Sequence, residues 1–556
     1  MTRRLILHVM LAALAAFYFS AAFDAVAAKD MPSTLTGQVT SQEEGAMEGV
    51  LVSAKKDGST VTVTVVSDAQ GRYSFPAQRL AAGRYGLKIR AVGYDLAVSA
   101  SVDVVEGKST QADLRLVKTK DLAAQLTNSE WFMSWPGTAE QKMAFSECIT
   151  CHTVEKIVRS RYTAAEFPAV VERMRNWASG STPPFPVKRL HPRPGGHLPP
   201  AHAEYLASIN LSGGPAWRYP LKTLPRPTGA ATRVIVTTYD LIRPNTSPHD
   251  VVVAPDGMIW YCDFGQPYIG MLDPKTAKVV EYEVPRIKAN ADTGMNNIEM
   301  DDQGNIFIAM FNQAGLVKFD TKTKKFQTWP IPKELDANTR RTVFIASMNH
   351  AVNDKVWIGG GMDRMYRIDL KTGKWELMDE QKDLPKDSPI ASRPHGIYGL
   401  ASDSQNNLYE LNIKSEYIIK VDAKTLKATY YQTPTMNSGP RRGRVDSKDR
   451  LWFAEHMGQK IGMFDTKAER FQEWAVPTPF TNPYDAVADR NDEVWMGGMG
   501  SDRITRLNSK SGAITEYLMP RFTNVRRVDV DNSTTPVTFW VGDNDGAAIL
   551  KVEPME

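Results

Sequence analysis

Three cysteines in 556 residues rule out a disulfide-stapled architecture. Charge of one sign is missing too. Lys and Arg number 67 against 63 Asp and Glu, and the formal net charge of +4 leaves no electrostatic footprint for nucleic acid. Beyond Phe23 no stretch is apolar for long enough to span a bilayer. No glycine-rich dinucleotide fingerprint follows any expected strand. A chain of this length is expected to fold as several domains held by packed cores.

What is present is concentrated in five residues, Cys148-Ile-Thr-Cys151-His152. The C-x-x-C-H spacing predicts one covalent haem c: two thiols for the two vinyl groups, with His152 as the proximal iron ligand. The adjacent His and the lack of a second C-x-x-C argue against zinc. Cys262 is then left alone and reads as a small core residue. The sixth iron ligand stays open among Met174, His197, His191, His202 and a vacant position. Met174 leads because Arg173-Met174 resembles a pair in related cytochrome modules. The N-terminus agrees with export. Arg3 and Arg4 precede an apolar run from Leu5 to Phe23, and Ala25-Val-Ala27 offers a small-residue cleavage pattern, which predicts a periplasmic protein with a signal peptide over 1–28. Without cleavage the run would be a membrane anchor.

The expected fold class is multidomain and mainly β: a β-sandwich, a small α-helical cytochrome c domain and a seven-bladed β-propeller. Residues 29–118 show short alternating runs such as Val61-Thr-Val-Thr-Val65, parted by turns such as Asp68-Ala-Gln-Gly71. Their order, with Gly37-x-Val39, Gly83-x-Tyr85 and Gly93-Tyr94, resembles the carboxypeptidase regulatory-like domain, which implies a structural or docking role. Residues 119–228 hold the haem motif and a linker. Helical spacing of Phe167, Val170, Val171 and Met174, and a second helix at 202–209, resemble a small class I cytochrome c, with an N-terminal helix running into the motif and a loop over 179–200 at the haem edge.

Residues 229–556 repeat. An aromatic closes the second strand of each unit: Trp260, Phe307, Trp357, Tyr409, Trp452, Trp495 and Trp540. An acid or amide closes the third: Asp273, Asp320, Asp369, Asp422, Asp465, Asn508 and Glu553. Seven copies at this spacing predict seven four-stranded blades. The last unit stops without a fourth strand, so 234–241 is expected to close the ring.

Ser247-Pro-His-Asp250, Asp256-Gly-Met-Ile-Trp260, Ile269-Gly-Met-Leu-Asp-Pro274 and Leu451-Trp-Phe-Ala-Glu455 together resemble the virginiamycin B lyase (streptogramin lyase) family. The resemblance implies a His general acid/base, an acid two residues before it and another fourteen after it, the two acids binding magnesium. This chain keeps the pattern only in part. His249 and Asp263 have the later spacing, but Ser247 replaces the earlier acid. His395 follows Arg393, with Asn412 in the later slot, and Glu455 faces Arg441 in the histidine position.

Alignment of the units predicts two rings at one channel mouth. The entry ring would hold His249, Asn296, Asn349, His395, Arg441, Tyr484 and Arg526 or Arg527. The second would hold Asp263, Met310, Gly360, Asn412, Glu455, Gly498 and Asp543. His456 is expected to face away from the mouth. In this scheme His249 and His395 are the candidate catalytic residues, Asp263 and Glu455 the candidate ligands of a divalent cation such as Mg, and Asn296, Arg441, Tyr484 and Asp543 line the channel. The leading function is a monohaem c-type cytochrome whose propeller binds a small-molecule ligand or a periplasmic redox partner, with electron transfer coupled to its recognition or oxidation. The alternatives are a metal-dependent lyase or lactone hydrolase and a non-enzymatic binding module. The sequence leaves open whether the chain is an enzyme.

Overall fold

The computed structural model describes residues 33–191, 197–310, 312–335, 344–346, 354–359, 364–378, 384, 391, 393 and 395–555. The expected signal peptide, Asn349 and Gly360 lie outside these residues. Among the described residues no helix is long and apolar enough to cross a membrane.

Six four-stranded antiparallel sheets run in sequence from Pro248 to Leu518. The seventh orders Val525–Asp531, Thr538–Asp543, Ala548–Pro554 and Val234–Asp240, so the early strand closes the ring on the last blade, as the missing fourth strand predicted. The innermost strands touch in cyclic order, with Pro248–Val253 meeting Val525–Asp531. The repeat has a physical cause. Asp273, Asp320, Asp369, Asp422, Asp465 and Asn508 each accept the backbone N–H two residues on, which closes the turn from the third to the fourth strand. The aromatics of the second strands are buried throughout.

Residues 33–118 form the sandwich, with Val39, Val52, Val63, Val65, Phe75 and Leu87 in its core. It is not a separate bead. Its strand Val61–Val66 pairs antiparallel with Val234–Asp240, Thr237 opposite Val63, so blade seven continues into one eight-stranded sheet. Side-chain alternation divides that sheet's contacts. Val63 and Val65 enter the sandwich core, whereas Leu51 and Val66 join the core between blades six and seven.

Residues 119–228 contain short helices. Phe167–Arg175 and Pro200–Ile209 match the two expected segments. The expected N-terminal helix is instead broken into Asn128–Ser134, Ala139–Met143 and a 3-10 turn at Ser146–Thr150. The cause is Pro136-Gly137: proline cannot donate to a helix ladder, and Gly137 takes φ +97°. Capping boxes at Thr127 with Glu130 and at Thr138 with Gln141 start the two short helices.

Candidate functional site

Strand pairing fixes which side chains reach the propeller mouth. Pro248 lies opposite Asp263, Met295 opposite Met310, Ile397 opposite Asn412, Pro440 opposite Glu455, Pro483 opposite Gly498 and Val525 opposite Asp543. Immediately after each of these pairs the register shifts. Such a bulge re-aims the residue inside it. The first residue inside each shift is His249, Asn296, Tyr398, Arg441, Tyr484 or Arg526, and in blades one, five and seven the shift also takes in Asp250, Arg442 and Arg527. The entry ring is therefore as expected at five positions, with Arg526 rather than Arg527. His395 lies two residues before its strand begins, and Tyr398 takes the fourth-blade place. The Pro-His match at 394–395 misplaced that unit by three residues.

These groups form a directed chain of hydrogen bonds. Arg441 donates to the Tyr398 hydroxyl at 3.0 Å, and Tyr398 and Tyr484 hydroxyls are 2.8 Å apart. Tyr484 reaches His249 Nε2 at 3.0 Å, and His249 Nδ1 stands 2.7 Å from Asp250 Oδ1. Burial drives the His249 imidazole down to about 4, with Arg526 and Arg442 adding to the effect against Asp250. Neutral His249 thus donates from Nδ1 to Asp250 and accepts at Nε2. Burial alone would raise the Tyr398 phenol, but the Arg441 and Arg526 charges outweigh it and lower it.

One layer deeper, Asp250 takes Arg442 at 2.9 Å, Arg527 at 3.3 Å and the Asn297 amide at 3.0 Å. Burial opposes ionisation of Asp250, but Arg442, His249 and Arg527 hold it well below the usual carboxylate range. This buried network ties blades one, two, five and seven across the axis. Sequence reading missed it, although the polar residue following each entry residue (Asp250, Asn297, Arg442, Arg527) was a visible signal.

The second expected ring is turned into the blades. Asp263 pairs with Arg243 at 2.8 Å and accepts the Gly265 N–H at 2.9 Å; burial raises it to about 6. Asn412 accepts the Gly396 and Lys414 N–H groups. Glu455 is raised to about 8 by burial and by the neighbouring Glu473, whose own partner is Lys460 at 2.6 Å. Asp543 pairs with Arg521 at 3.1 Å, and burial raises it to about 7. The residues that do face the mouth come one position later. Phe264 packs on His249 with centroids 4.7 Å apart, His456 Nδ1 lies 3.1 Å from Arg441, and Met499 sulfur lies 3.3 Å from Arg441. His456 therefore faces the mouth, contrary to expectation, because one residue of offset in a strand reverses the side. Among the described residues no three His, Cys, Asp or Glu side chains cluster as a metal site.

The C-x-x-C-H segment lies on the rim of this mouth. Asn524 donates to Ile149 O at 2.8 Å and Arg526 to Thr150 O at 2.7 Å. Ile149, Phe132 and Trp135 share a core with Tyr484 and Met499. The loop after Phe167–Arg175 also grips the rim: Ser247 donates to Gly180 O at 3.2 Å, and Leu190 N–H reaches Asp292 at 2.8 Å. Cys148 is half-buried and Cys151 exposed. Burial, Glu147 and Cys151 push the Cys148 thiol up to about 12, which disfavours a reactive thiolate. His152 Nδ1 is 2.8 Å from Thr153 O, which fixes the tautomer with Nε2 as the electron-pair donor. Met174 is 43% exposed rather than core, and His197 is exposed. His191 Nε2 contacts Asn290 O at 2.7 Å, and the His202 ring packs on Phe145. Cys262 is buried in the core between blades one and two, as expected.

Residues 385–554 match the model of the Virginiamycin B lyase family, and residues 34–117 match the Carboxypeptidase regulatory-like domain. No curated protein matches the chain. Among solved structures, a streptogramin B lyase is 22% identical over 59% of this chain and 100% of its own, with TM-score 0.49. A virginiamycin B lyase from Staphylococcus aureus is 21% identical over 57% of this chain and 99% of its own, with TM-score 0.48. The chain thus carries a carboxypeptidase regulatory-like domain and a virginiamycin B lyase-like domain in a mainly β architecture.

Proposed function

We propose that this chain is an exported c-type haem protein whose propeller mouth binds a small molecule or partner and exchanges electrons with it through the haem. The observation that carries the reading is the seating of Ile149 and Thr150 on Asn524 and Arg526, directly above the Tyr398–Tyr484–His249 chain. Cys148 and Cys151 would hold the haem covalently, His152 would bind its iron through Nε2, and Met174 is the leading candidate opposite. The donor set fits: a fixed imidazole tautomer, two unpaired thiols, and apolar Tyr162, Met174, Phe185, Val187 and Leu190 exposed on the same segment. Bound haem supplies one-electron exchange. The protein's own part is to position a ligand against Arg441 and Tyr398, and to take up a proton at His249 Nε2 through Tyr484.

Export to the periplasm follows from the same reading, since covalent haem c is attached outside the bacterial cytoplasm. The test is a redox difference spectrum of the purified full chain against candidate donors. Reduction of a covalent haem by a defined donor, slowed in Tyr484→Phe, supports the proposal. A chain without haem after expression with an intact maturation system overturns it. A second reading, a metal-dependent lyase or hydrolase, draws on the oriented His249–Asp250 pair. It requires a divalent cation at the mouth, and Asp263 and Glu455 are turned into the blades.

A further inference from the structure

A cavity of about 450 Å³ lies away from the mouth, where the sandwich, the helical segment and the outer parts of blades six and seven meet. Its size falls within the usual range of small-molecule sites, roughly 300–1,000 Å³. Two polar groups on its wall lack partners. Arg503 is 7% exposed and Ser501 0%, yet Arg503 Nε and Ser501 Oγ make no hydrogen bond. Arg503 spends one terminal nitrogen on Pro225 O at 2.7 Å and forms no ion pair among the described residues. Burial pulls its guanidinium down, which Glu516 and Glu130 only partly offset.

The acids on the wall are already engaged. Glu130 accepts from Thr127 N–H at 2.8 Å, from the Thr127 hydroxyl at 2.9 Å and from Leu224 N–H at 2.7 Å. Asp95 accepts from Gln125 at 2.8 Å. Lys88 adds exposed positive charge at the wall. The remaining wall is largely apolar, with Ile89, Val92, Leu518 and Phe522. A buried cation and a buried hydroxyl with unused donors are costly unless something accepts from them. An apolar body with one carboxylate would satisfy both features at once.

We propose that this junction binds a small monocarboxylate with an apolar body, its carboxylate accepting from Arg503 Nε and Ser501 Oγ. The proposal does not depend on the haem or on the propeller mouth. The test is isothermal titration of the purified full chain with 3-phenylpropionate, with its neutral amide as the control. Expected are one-to-one binding of the acid and at least tenfold weaker binding of the amide. Arg503→Gln should weaken the acid at least tenfold. Lys88→Glu, an exposed change that leaves folding intact, should weaken it severalfold. Lys275→Gln, an exposed change in a turn of blade one, should leave it unchanged. No binding by the folded wild type, equal binding of acid and amide, or loss in Lys275→Gln with none in Lys88→Glu would each overturn the proposal.

Discussion

The Tyr484 hydroxyl stands 3.0 Å from His249 Nε2 while Asp250 holds the opposite nitrogen at 2.7 Å. Asp250 fixes which nitrogen is free, and Tyr484 connects that nitrogen to Tyr398 and Arg441. If proton uptake at His249 accompanies ligand oxidation, Tyr484→Phe should slow haem reduction by the donor about 10²-fold or more, the usual scale of a positioned acid–base group. Ligand affinity should change much less. Stopped-flow reduction over a range of donor concentrations separates the two.

His249 also predicts a pH effect on stability. Its folded value of about 4 lies below its ordinary 6.5. The unfolded chain therefore binds a proton first as pH falls. Stability is unaffected above about 6.5, declines as pH drops from 6.5 towards 4, and gains no further loss from this group below that. The full effect is on the order of 3 kcal/mol. Urea unfolding at pH 7 and pH 4.5 should show this loss in the wild type and a smaller one in His249→Gln.

The haem attachment makes a sharper test. Mature protein should carry the mass of one haem, retained after denaturation. Cys148→Ala should weaken attachment, and His152→Ala should keep the mass but change the iron spectrum. If Met174 is the sixth ligand, oxidised protein shows a sulfur-to-iron charge-transfer band that Met174→Leu removes; a band unchanged in that variant transfers the assignment to His197, His191 or an open site.

The rim contact can be broken at a single atom. Gly180 has φ +72°, and a Cβ there would lie 2.5 Å from the Gly265 backbone nitrogen and Cα. Neither atom belongs to a movable side chain, so Gly180→Ala must push the loop off blade one. The expected cost is about 1–3 kcal/mol from backbone strain alone. Proteolysis within residues 176–191 should accelerate, while the isolated melting of the blades changes little. Unchanged protection of that loop would show that the rim contact is not held there.

Much of the architecture was legible because repetition averages out local ambiguity. Seven aromatics and seven acids or amides at the ends of third strands gave blade number, and the missing fourth strand gave the closure at 234–240. The mouth was legible only in part. His249, Arg441, Tyr484 and Arg526 fell into place because each sits beside a conspicuous strand start. Tyr398 and His456 did not, since a bulge and a one-residue offset decide which way a side chain points, and neither leaves a mark in composition. The sheet shared by Val61–Val66 and Val234–Asp240 was also invisible. Pairing between strands about 170 residues apart has no local signature.

The final prediction is negative: the full chain should show no efficient elimination on a streptogramin B substrate, with or without magnesium. That chemistry needs a proton-transfer group and carboxylates that hold a cation beside it. Asp263, at the fourteen-residue spacing, is held by Arg243 at 2.8 Å. Arg393, where the family resemblance implies an acid, is itself paired with Glu416 at 2.7 Å. Ile149, Phe132 and Trp135 pack with Tyr484 and Met499 at the mouth, where a substrate would have to enter. A lyase assay with added magnesium decides the matter. Turnover in the wild type that disappears in His249→Ala would show that the mouth opens and recruits a cation, and the lyase reading would replace the redox one.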